Sequence, residues 1–388
     1  MTDNNFYSII PYKDRLIKLS NPSRALAIYK NYQIDLLSGK RIVSSFVNWT
    51  KTLEQITVSS FVDRPHVIHL FYELGHQLLE TSTVAEDTVL ALDIEYVQVE
   101  NVTKEKSKKI NLELISKVNF KDYQLRFKNG YNELLLGNCY QFNLTAPFEF
   151  KFKENITAED FIFALWRKPA NRGRYASASF VPYFNKLFLS NSPECLFQIK
   201  KNKLTTMPIK GTVKFSKTQD LKPIWKNLCK DSKSQAELYM ITDLLRNDLS
   251  SIDRPIANVV KKKFPLVVPG LLHQCSQIEV ELRSNISLLR IIEKMFPGGS
   301  VTGAPKKSSM RILNTLEQRE RGFYCGSTLI LYKDMKSASI NIRSGIIDFS
   351  SRLLNYQAGG GITLKSSVSA EFREMTYKLK SFIGVLTL

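Results

Sequence analysis

Cysteine is scarce in this chain of 388 residues, and the cysteines present form no pattern. They are far apart along the sequence, and no CxxC pair occurs among them. Zinc sites and disulfide frameworks both need cysteines at short or regularly paired spacings. The sequence therefore predicts free thiols in a reducing compartment, at Cys139, Cys195, Cys229, Cys275 and Cys325.

Long apolar runs are also missing. No stretch approaches the ~20 consecutive apolar residues that a membrane-spanning helix needs. The N-terminal stretch contains Asp14 and Arg15 and lacks the apolar centre of a signal peptide. These absences predict a cytoplasmic protein that makes no use of a membrane.

Acidic residues are outnumbered, since 36 Asp and Glu stand against 55 Lys and Arg, which gives a formal charge of +19. A basic balance is typical of proteins that bind nucleic acid, acidic membranes or anionic substrates. The densest lysine runs, Lys104–Lys109 and Lys261–Lys263, lack the interleaved aromatic residues of a nucleic-acid groove. We therefore expect a generally basic, solvated surface without a nucleic-acid partner. A basic nucleic-acid-binding protein on an inactive enzyme fold is the alternative, and salt-sensitive DNA binding would favour it.

Strand-like and helix-like segments are mixed along the chain without the regular alternation of a doubly wound sheet. Residues 88–102 are rich in β-branched residues and predict a strand, whereas the apolar spacing at 123–135 predicts a helix. The polar stretch Asn101–Lys121 is typical of a linker. We expect an α+β (mixed α/β) fold with an N-terminal region at 1–110 and a second region at 111–388.

Three polar residues stand at predicted strand ends or within apolar runs. Lys210, in the segment MPIKGT, follows a predicted strand and precedes a glycine; a lysine there is ordinarily solvated. Glu194, in SPE, lies at the end of a neighbouring predicted strand and by itself is typical of a surface residue. His273 is flanked by apolar residues, as hydrogen-bonded core histidines often are.

Two predicted helices carry carboxylates. In the helix at 234–248, Glu237 lies beside the apolar stripe, where the ordinary alternative is an exposed side chain. In the C-terminal helix, Glu371, Glu374 and Lys378 share one face, and an acidic first turn ordinarily complements the helix dipole. The functional alternative is that these glutamates hold Mg²⁺, which favours few carboxylates completed by water and ligand oxygens.

Two glycine-rich stretches and an arginine add candidates for binding an anion. Gly359, Gly360 and Gly361 leave backbone N–H groups open to close approach, although such a run also forms plain turns or bulges. The bend at 296–306 leads into a helix but lacks the spacing of a nucleotide-binding P-loop. Arg343 ends a predicted strand and is suited to carboxylate recognition.

The order of these motifs resembles that of the chorismate-utilising enzymes. The segments that carry the resemblance are PIKGT, AELYMITDLLRND, HQCS, PGGSVTGAPK, RGFYCG, NIRS, AGGGI and SAEFREMTYK. A looser match, KDYQLRFKNGYNELLLGNCYQFNL, precedes them. The family includes anthranilate synthase component I, aminodeoxychorismate synthase component I, isochorismate synthase and salicylate synthase.

The resemblance implies two large antiparallel β-sheets that pack together, with helices outside and the N-terminal region interleaved with the rest. It also implies Mg²⁺ bound by Glu237 and Glu374, with Glu371 near its water ligands. The metal would bridge to the ring carboxylate of chorismate. Lys378 and the amides of Gly359–Gly361 would support that carboxylate.

The other matched positions surround the same ring. Arg343 and Tyr324 would hold the enolpyruvyl carboxylate. Glu194 would act as general acid or base beside the C4 hydroxyl, and His273 would lie over the same ring edge. The matched polar positions that line the pocket are Ser300 and Thr302.

Lys210 decides which reaction the resemblance implies. Anthranilate synthases carry a small residue there, whereas this lysine looks like that of aminodeoxychorismate synthase component I. That lysine is understood as a nucleophile that adds at C2 of chorismate as the C4 hydroxyl leaves, after which ammonia displaces it at C4. The implied product is 4-amino-4-deoxychorismate, a precursor of para-aminobenzoate and folate. Anthranilate synthase component I and an isochorismate- or salicylate-synthase-type enzyme are the alternatives.

No glutaminase signature accompanies these motifs, because no glycine-flanked nucleophilic cysteine is followed by His-x-Glu. We therefore expect ammonia from solution or from a separate glutamine amidotransferase subunit. The chain departs from the family pattern at Cys195, at 249–251 and at 365–369, and these departures spare the matched catalytic positions.

Overall fold

Antiparallel β-strands form most of the structure, a computed structural model that describes residues 5–103, 108–153, 155–215, 219–254, 256–268 and 271–387. The strands of the N-terminal half are β1 (Tyr7–Tyr12), β2 (Arg15–Ile28), β3 (Tyr32–Asp35), β4 (Arg41–Val43), β5 (Val62–Leu70), β6 (Ala91–Asn101), β7 (Leu112–Lys117), β8 (Gln141–Phe152), β9 (Ser177–Val181) and β10 (Lys186–Ser190). Those of the C-terminal half are β11 (Cys195–Lys200), β12 (Lys203–Met207), β13 (Ile209–Lys214), β14 (Asn258–Val268), β15 (Leu271–Glu281), β16 (Gly303–Ala304), β17 (Ser327–Lys333), β18 (Met335–Ser339), β19 (Ser344–Asp348) and β20 (Leu353–Ile362).

Helices connect and cover these strands. The α-helices in the described ranges are α1 (Phe46–Glu54), α2 (Glu73–Leu79), α3 (Phe120–Leu135), α4 (Ala158–Leu165), α5 (Leu221–Leu228), α6 (Ser232–Ser250), α7 (Leu288–Met295), α8 (Lys306–Glu317) and α9 (Val368–Thr387). The predicted strand at 88–102 and the predicted helix at 123–135 are present as β6 and α3. No helix in the described ranges combines the length and apolarity needed to span a membrane.

The strand pairs form one continuous antiparallel order. It runs β7, β8, β20, β19, β10, β9, β1, β2, β6, β5, β17, β18, β11, β12, β15 and β14, with β13 also on β15. The 14-residue β2 pairs with both β1 and β6 and so joins the two halves of this order. The predicted α+β architecture of large antiparallel sheet with outer helices is confirmed, and its two halves are continuous through β2.

Three apolar cores hold the layers together. Between the two halves of the strand order lie side chains such as Ile10, Leu92 and Phe188. A second core packs α3, α4 and α9 on strands that include β8 and β20, and a third packs α1, α6 and α7 on strands that include β5 and β11. Each fully buried aliphatic or aromatic side chain contributes roughly 1.5–3 kcal/mol. These cores fix α6 and α9 against the strands that carry the candidate site.

The predicted linker at Asn101–Lys121 is wrong in part. It contains β7, which pairs with β8 at the edge of the sheet. Leu112 and Leu114, two residues apart, lie on the same face of this strand and pair with Phe152 and Phe150 of β8. Residues 104–107 of the predicted lysine run lie outside the described residues. The division of the chain at residue 110 stays a prediction, and strand pairs cross it, since β1 pairs with β9 and β5 with β17.

His69 lies fully buried in the core between the two halves of the strand order. Its Nδ1 is 2.9 Å from Thr328 Oγ1 and its Nε2 is 2.8 Å from Ser179 Oγ. Burial lowers the pKa of His69 to about 3. The imidazole is therefore neutral in the folded protein over the ordinary pH range, because no carboxylate offsets the loss of water.

We expect His69 to make the protein less stable as the pH falls from 7 to 5. The unfolded chain binds a proton at His69 near its ordinary pKa of ~6.5, whereas the folded chain does not, so stability rises with pH in this window. Through this histidine, the free energy of unfolding should decrease by about 2 kcal/mol when the pH is lowered from 7 to 5. Denaturant unfolding of wild type and His69→Gln at both pH values measures it. Equal pH dependence in the two proteins would contradict the prediction.

Candidate active site

Glu194 immediately precedes β11, after the chain leaves β10. Its N–H donates to Ser192 Oγ (3.1 Å), and Ser192 Oγ donates to the Ile340 carbonyl oxygen (2.5 Å). The Ile340 N–H donates to the Glu194 carbonyl oxygen (3.0 Å). These bonds fix the Glu194 backbone between two strands, and the residue is only 7% exposed.

The carboxyl group of Glu194 is the electrostatic centre of the site. Burial raises its pKa, while the Lys210 ammonium, the Ser300 hydroxyl and the Lys378 ammonium oppose that rise. Ser300 Oγ is buried near this carboxyl but outside standard hydrogen-bond geometry, and no other described residue satisfies it. A carboxyl with a raised pKa keeps its proton to higher pH, as a general acid must.

Lys210 stands at a bulge in β13. It pairs with Gln274 of β15, and the register shifts between Lys210 and Thr212. Gly211 in the bulge has a φ of +72°, in the left-handed region that glycine adopts without strain. A Cβ at Gly211 would lie 2.8 Å from Ser234 Cβ, so α6 packs on bare backbone here. The bulge breaks the alternation of the strand at Lys210, which is half-buried and whose positive charge acts to lower the pKa of the Glu194 carboxyl group.

His273 lies on β15 opposite the same bulge. Its Nδ1 is 2.8 Å from Thr212 Oγ1. Burial, and after it the positive charge of Arg343, lower its pKa to about 4, and a hydrogen bond with the Gly211 backbone opposes them. The imidazole is therefore neutral at neutral pH and can accept or donate one hydrogen bond at its second nitrogen.

Helix α9 presents three predicted residues to the glycine run of β20. Lys378 Nζ donates to the Gly359 carbonyl oxygen (2.8 Å) and lies 2.8 Å from Glu374 Oε1. A Cβ at Gly360 would lie 3.3 Å from Glu371 Oε2 and 4.0 Å from Glu374 Oε1. The absence of a side chain at Gly360 thus leaves a small cradle under two carboxylates and one ammonium.

Arg343 immediately precedes β19 and has a φ of +54°, which is uncommon for a residue with a side chain. Its Nη1 donates to Ser381 Oγ (3.1 Å), and its carbonyl oxygen accepts from the Asn191 N–H (3.0 Å). Burial raises the pKa of Tyr356 to about 12, against the opposing charge of Arg343. Burial also raises the pKa of Tyr324, which lies near Tyr356. Arg343 and Tyr324, predicted to act together, are therefore close to one common neighbour.

The chorismate binding enzyme family has a sequence model that matches residues 52–384. This chain belongs to that family. An uncharacterised PabA-like protein of Pasteurella multocida is 30% identical over 268 residues, which cover 68% of this chain and 76% of that protein. Aminodeoxychorismate synthase component 1 of Salmonella typhimurium is 31% identical over 268 residues, which cover 68% of this chain and 57% of that enzyme. The match therefore spans little more than half of the named enzyme.

Solved structures confirm the fold of this chorismate binding enzyme. Anthranilate synthase component I from Streptococcus pneumoniae superposes with a TM-score of 0.78, covering 96% of this chain and 93% of that one. The sequence identity of the pair is 19%. At that identity the likeness concerns the arrangement of strands and helices and leaves the reaction open.

The predicted metal ligands of this chorismate binding enzyme lie on two helices. Glu371 and Glu374 converge over Gly360 from α9. Glu237 is half-buried on α6, three residues after Ser234, and so shares the helix face that packs on the β13 bulge. The described residues contain no group of three or more His, Cys, Asp or Glu side chains already arranged around a metal position. The two carboxylates over Gly360 have the donor chemistry of a Mg²⁺ site, which takes its other ligands from water and substrate, and Glu374 is paired here with the Lys378 ammonium.

Thr302, one of the predicted pocket residues, already donates its hydroxyl hydrogen to a backbone carbonyl. Thr302 Oγ1 donates to the Gly298 carbonyl oxygen (3.0 Å), and the residue is fully buried. Its contact with a substrate stays a prediction.

Sequence reasoning missed Gln141 and Ser381. Gln141 is fully buried in β8, and neither polar atom of its amide has a partner among the described residues. A Cβ at Gly361 would lie 2.6 Å from Gln141 Nε2, so the amide abuts the glycine run. A polar residue inside the apolar strand CYQFNL was the signal for Gln141. For Ser381 there was no signal, because its contact with Arg343 joins segments far apart in sequence.

We expect Gly360→Ala to weaken Mg²⁺-dependent binding of the substrate. The new Cβ would lie 3.3 Å from Glu371 Oε2, a close contact that forces the carboxylate or α9 to move. The Mg²⁺ concentration for half-maximal activity should rise by about tenfold, as a ~1.4 kcal/mol loss predicts. The matched control is Gly384→Ala, because a Cβ there meets nothing within 4 Å. An unchanged Mg²⁺ requirement in Gly360→Ala would count against the cradle.

Proposed function

We propose that this chain is an aminodeoxychorismate synthase component I, which converts chorismate and ammonia to 4-amino-4-deoxychorismate. The observation that carries the proposal is the position of Lys210 on a bulge of β13, where it is half-buried and its positive charge acts on the buried carboxyl of Glu194. A lysine and a carboxyl group with a raised pKa supply the two groups that the reaction needs: a nucleophile for C2 of the ring and an acid for the oxygen on C4. The 31% identity to the Salmonella typhimurium enzyme of that name supports the same choice.

Chorismate carries two carboxylates, and the site contains two sets of cations and donors. Lys378 and the glycine run would bind the ring carboxylate, with Gln141 as a neutral donor next to Gly361. Arg343 and Tyr324 would bind the enolpyruvyl carboxylate. Binding at both carboxylates would fix the ring in one orientation and so lower the entropic part of the activation barrier.

We propose that the site binds Mg²⁺ through Glu374 and Glu237, with Glu371 near its water ligands. When bound, it would neutralise the charge of a multiply anionic substrate and help to orient the ring carboxylate. The side chains of the chain itself perform the steps that follow.

The first step joins Lys210 to the ring. Once the Lys210 ammonium has passed a proton to the Glu194 carboxylate, its Nζ forms a bond to C2, the two ring double bonds shift, and the C4–O bond breaks. Glu194 gives its proton to the departing oxygen, which leaves as water. The burial that raises the pKa of Glu194 keeps this proton available, and the neutral His273 can hydrogen-bond at the same ring edge.

The second step releases Lys210. Ammonia forms a bond to C4, the double bonds shift back, and the bond between C2 and Nζ breaks. The extra proton that the new C4 ammonium carries passes to the Glu194 carboxylate. Lys210 returns to its neutral amine and Glu194 to its acid form, so atoms and charges balance over the cycle.

We propose that a separate glutamine amidotransferase subunit delivers the ammonia. The name of the Salmonella typhimurium relative, component 1, implies a second component for that enzyme. The chain itself lacks a glutaminase signature in its sequence.

Anthranilate synthase component I is the second candidate, because a solved structure of that name shares the fold with a TM-score of 0.78. The test is to incubate the protein with chorismate, MgCl₂ and ammonium chloride and to analyse the product by liquid chromatography and mass spectrometry. We expect 4-amino-4-deoxychorismate, which yields para-aminobenzoate only after a lyase is added. Fluorescent anthranilate without an added lyase, or isochorismate at the unchanged mass of chorismate, would refute the proposal.

A further inference from the structure

A second concave surface lies on the far side of α9. The three α9 residues at the candidate site are Glu371, Glu374 and Lys378, whereas Phe372, Thr376 and Ile383 line this second surface. At about 100° per residue these two sets lie on nearly opposite faces of the helix. We call the surface the α9 groove; β7, β8 and the start of α3 form its other walls. Its volume of about 710 Å³ is within the range of small-molecule sites.

The walls of the α9 groove are mainly apolar. Phe148 and Phe150 of β8 form part of the lining and are only 4% and 5% exposed. Nearer the solvent, Leu114 and Phe120 are 41% and 39% exposed. Apolar surface of this extent in a concave site favours a ligand with an apolar body, because covering it removes it from water.

The charged side chains of the α9 groove have one sign. Lys117 and Lys380 line it, and no Asp or Glu is among its described lining residues. Neither lysine forms an ion pair within the part of the chain that the structure describes. Two unpaired ammonium groups beside apolar walls complement an anion better than a neutral or cationic ligand.

We propose that the α9 groove binds a small amphipathic anion with an aliphatic or aromatic body and one carboxylate. The body packs on the phenylalanine walls, and the carboxylate lies between Lys117 and Lys380. Gly384 leaves room for this ligand on α9, since a Cβ at that position would meet nothing within 4 Å. The inference goes beyond the proposed reaction and does not depend on it, because binding at the groove can be measured without substrate.

The first test is calorimetric titration of the full chain with decanoate, kept below its critical micelle concentration. We expect saturable binding at one site, weakened by about fivefold when the salt concentration rises from 50 to 500 mM, because exposed charges are screened. Decan-1-ol should bind more weakly and decyltrimethylammonium should not bind. Equal binding of all three compounds would overturn the proposal. The aromatic anion 8-anilinonaphthalene-1-sulfonate serves as a second probe, and saturable binding of neither this anion nor decanoate would also overturn it.

Two variants locate the site. Gly384→Leu places a side chain in the open space that the body of decanoate would occupy. The binding of decanoate should weaken by about tenfold or more, which corresponds to a loss of about 1.4 kcal/mol of binding free energy. A helical glycine replaced by leucine also gains helix propensity, so this variant should fold. Lys380→Glu reverses one charge and should weaken decanoate binding while removing much of its salt dependence.

Two substitutions of a lysine outside the groove serve as controls for Gly384→Leu and Lys380→Glu. Lys307 is exposed on α8 and does not line the groove, so Lys307→Leu and Lys307→Glu add the same side chains elsewhere. We expect decanoate to bind both controls as it binds wild type. If Gly384→Leu and Lys380→Glu also bind it unchanged, the α9 groove is not the site.

Discussion

Lys210→Ala should lose amination at C4 almost completely while still binding chorismate. Without the Nζ, no bond to C2 can form, and ammonia has to displace the C4 hydroxyl directly. The rate of product formation should fall on the order of 10³-fold or more, about 4 kcal/mol of barrier. The dissociation constant for chorismate should change only a few-fold, since the carboxylate anchors are untouched. Mass-spectrometric product assays and calorimetric chorismate titration measure the two quantities.

Lys203→Ala is the matched control for Lys210. Lys203 lies on β12 of the same sheet, is largely exposed and pairs with Glu279 (3.0 Å). We expect its removal to leave both rate and binding near wild type, because an exposed ion pair contributes about 0–1 kcal/mol. A Lys210→Ala enzyme that runs at the wild-type rate would show that the lysine is no nucleophile.

Glu194→Gln should slow the reaction by roughly 10²–10³-fold, since the C4 oxygen then departs without a proton. The pH profile gives a sharper readout than the rate alone. Burial raises the pKa of Glu194, so the wild-type rate should fall as rising pH removes this proton, and the glutamine variant should lack that fall. Measuring kcat from pH 5 to pH 9 for both proteins checks this difference.

Glu281→Gln is the control for Glu194, because Glu281 is an exposed carboxylate at the end of β15. It should keep the wild-type rate and pH profile. Glu194→Asp should restore part of the activity of Glu194→Gln if the group acts as an acid. A glutamine variant with the wild-type pH profile would assign the titrating group to another residue.

Local pattern alone placed one group of site residues correctly relative to each other. Glu371, Glu374 and Lys378 were expected on one helix face, and Lys378 Nζ does lie 2.8 Å from Glu374 Oε1 over Gly360. Helical periodicity is a property of a few consecutive residues, so the sequence contains it in full. The order of the motifs likewise was enough to predict membership of the chorismate binding enzyme family, which the match over residues 52–384 confirms.

Burial could not be read from the same patterns. Glu194 looked like an ordinary surface residue, yet it is buried, and burial raises the pKa of its carboxyl group. Exposure depends on which helices and strands cover a residue, and those elements come from distant parts of the chain. The same limit made Asn101–Lys121 look like a linker when part of it is the edge strand β7.

By itself the sequence determined the α+β class, the family and the helix face that Glu371, Glu374 and Lys378 share. Only the tertiary structure decided that Lys210 lies at a bulge of β13, that Glu194 is buried, that Gln141 abuts Gly361 and that Ser381 binds Arg343. The physical reason is that helical and strand periodicities are written in neighbouring residues. Contacts between distant segments depend on strand register and on packing, which become defined only when the whole core has formed.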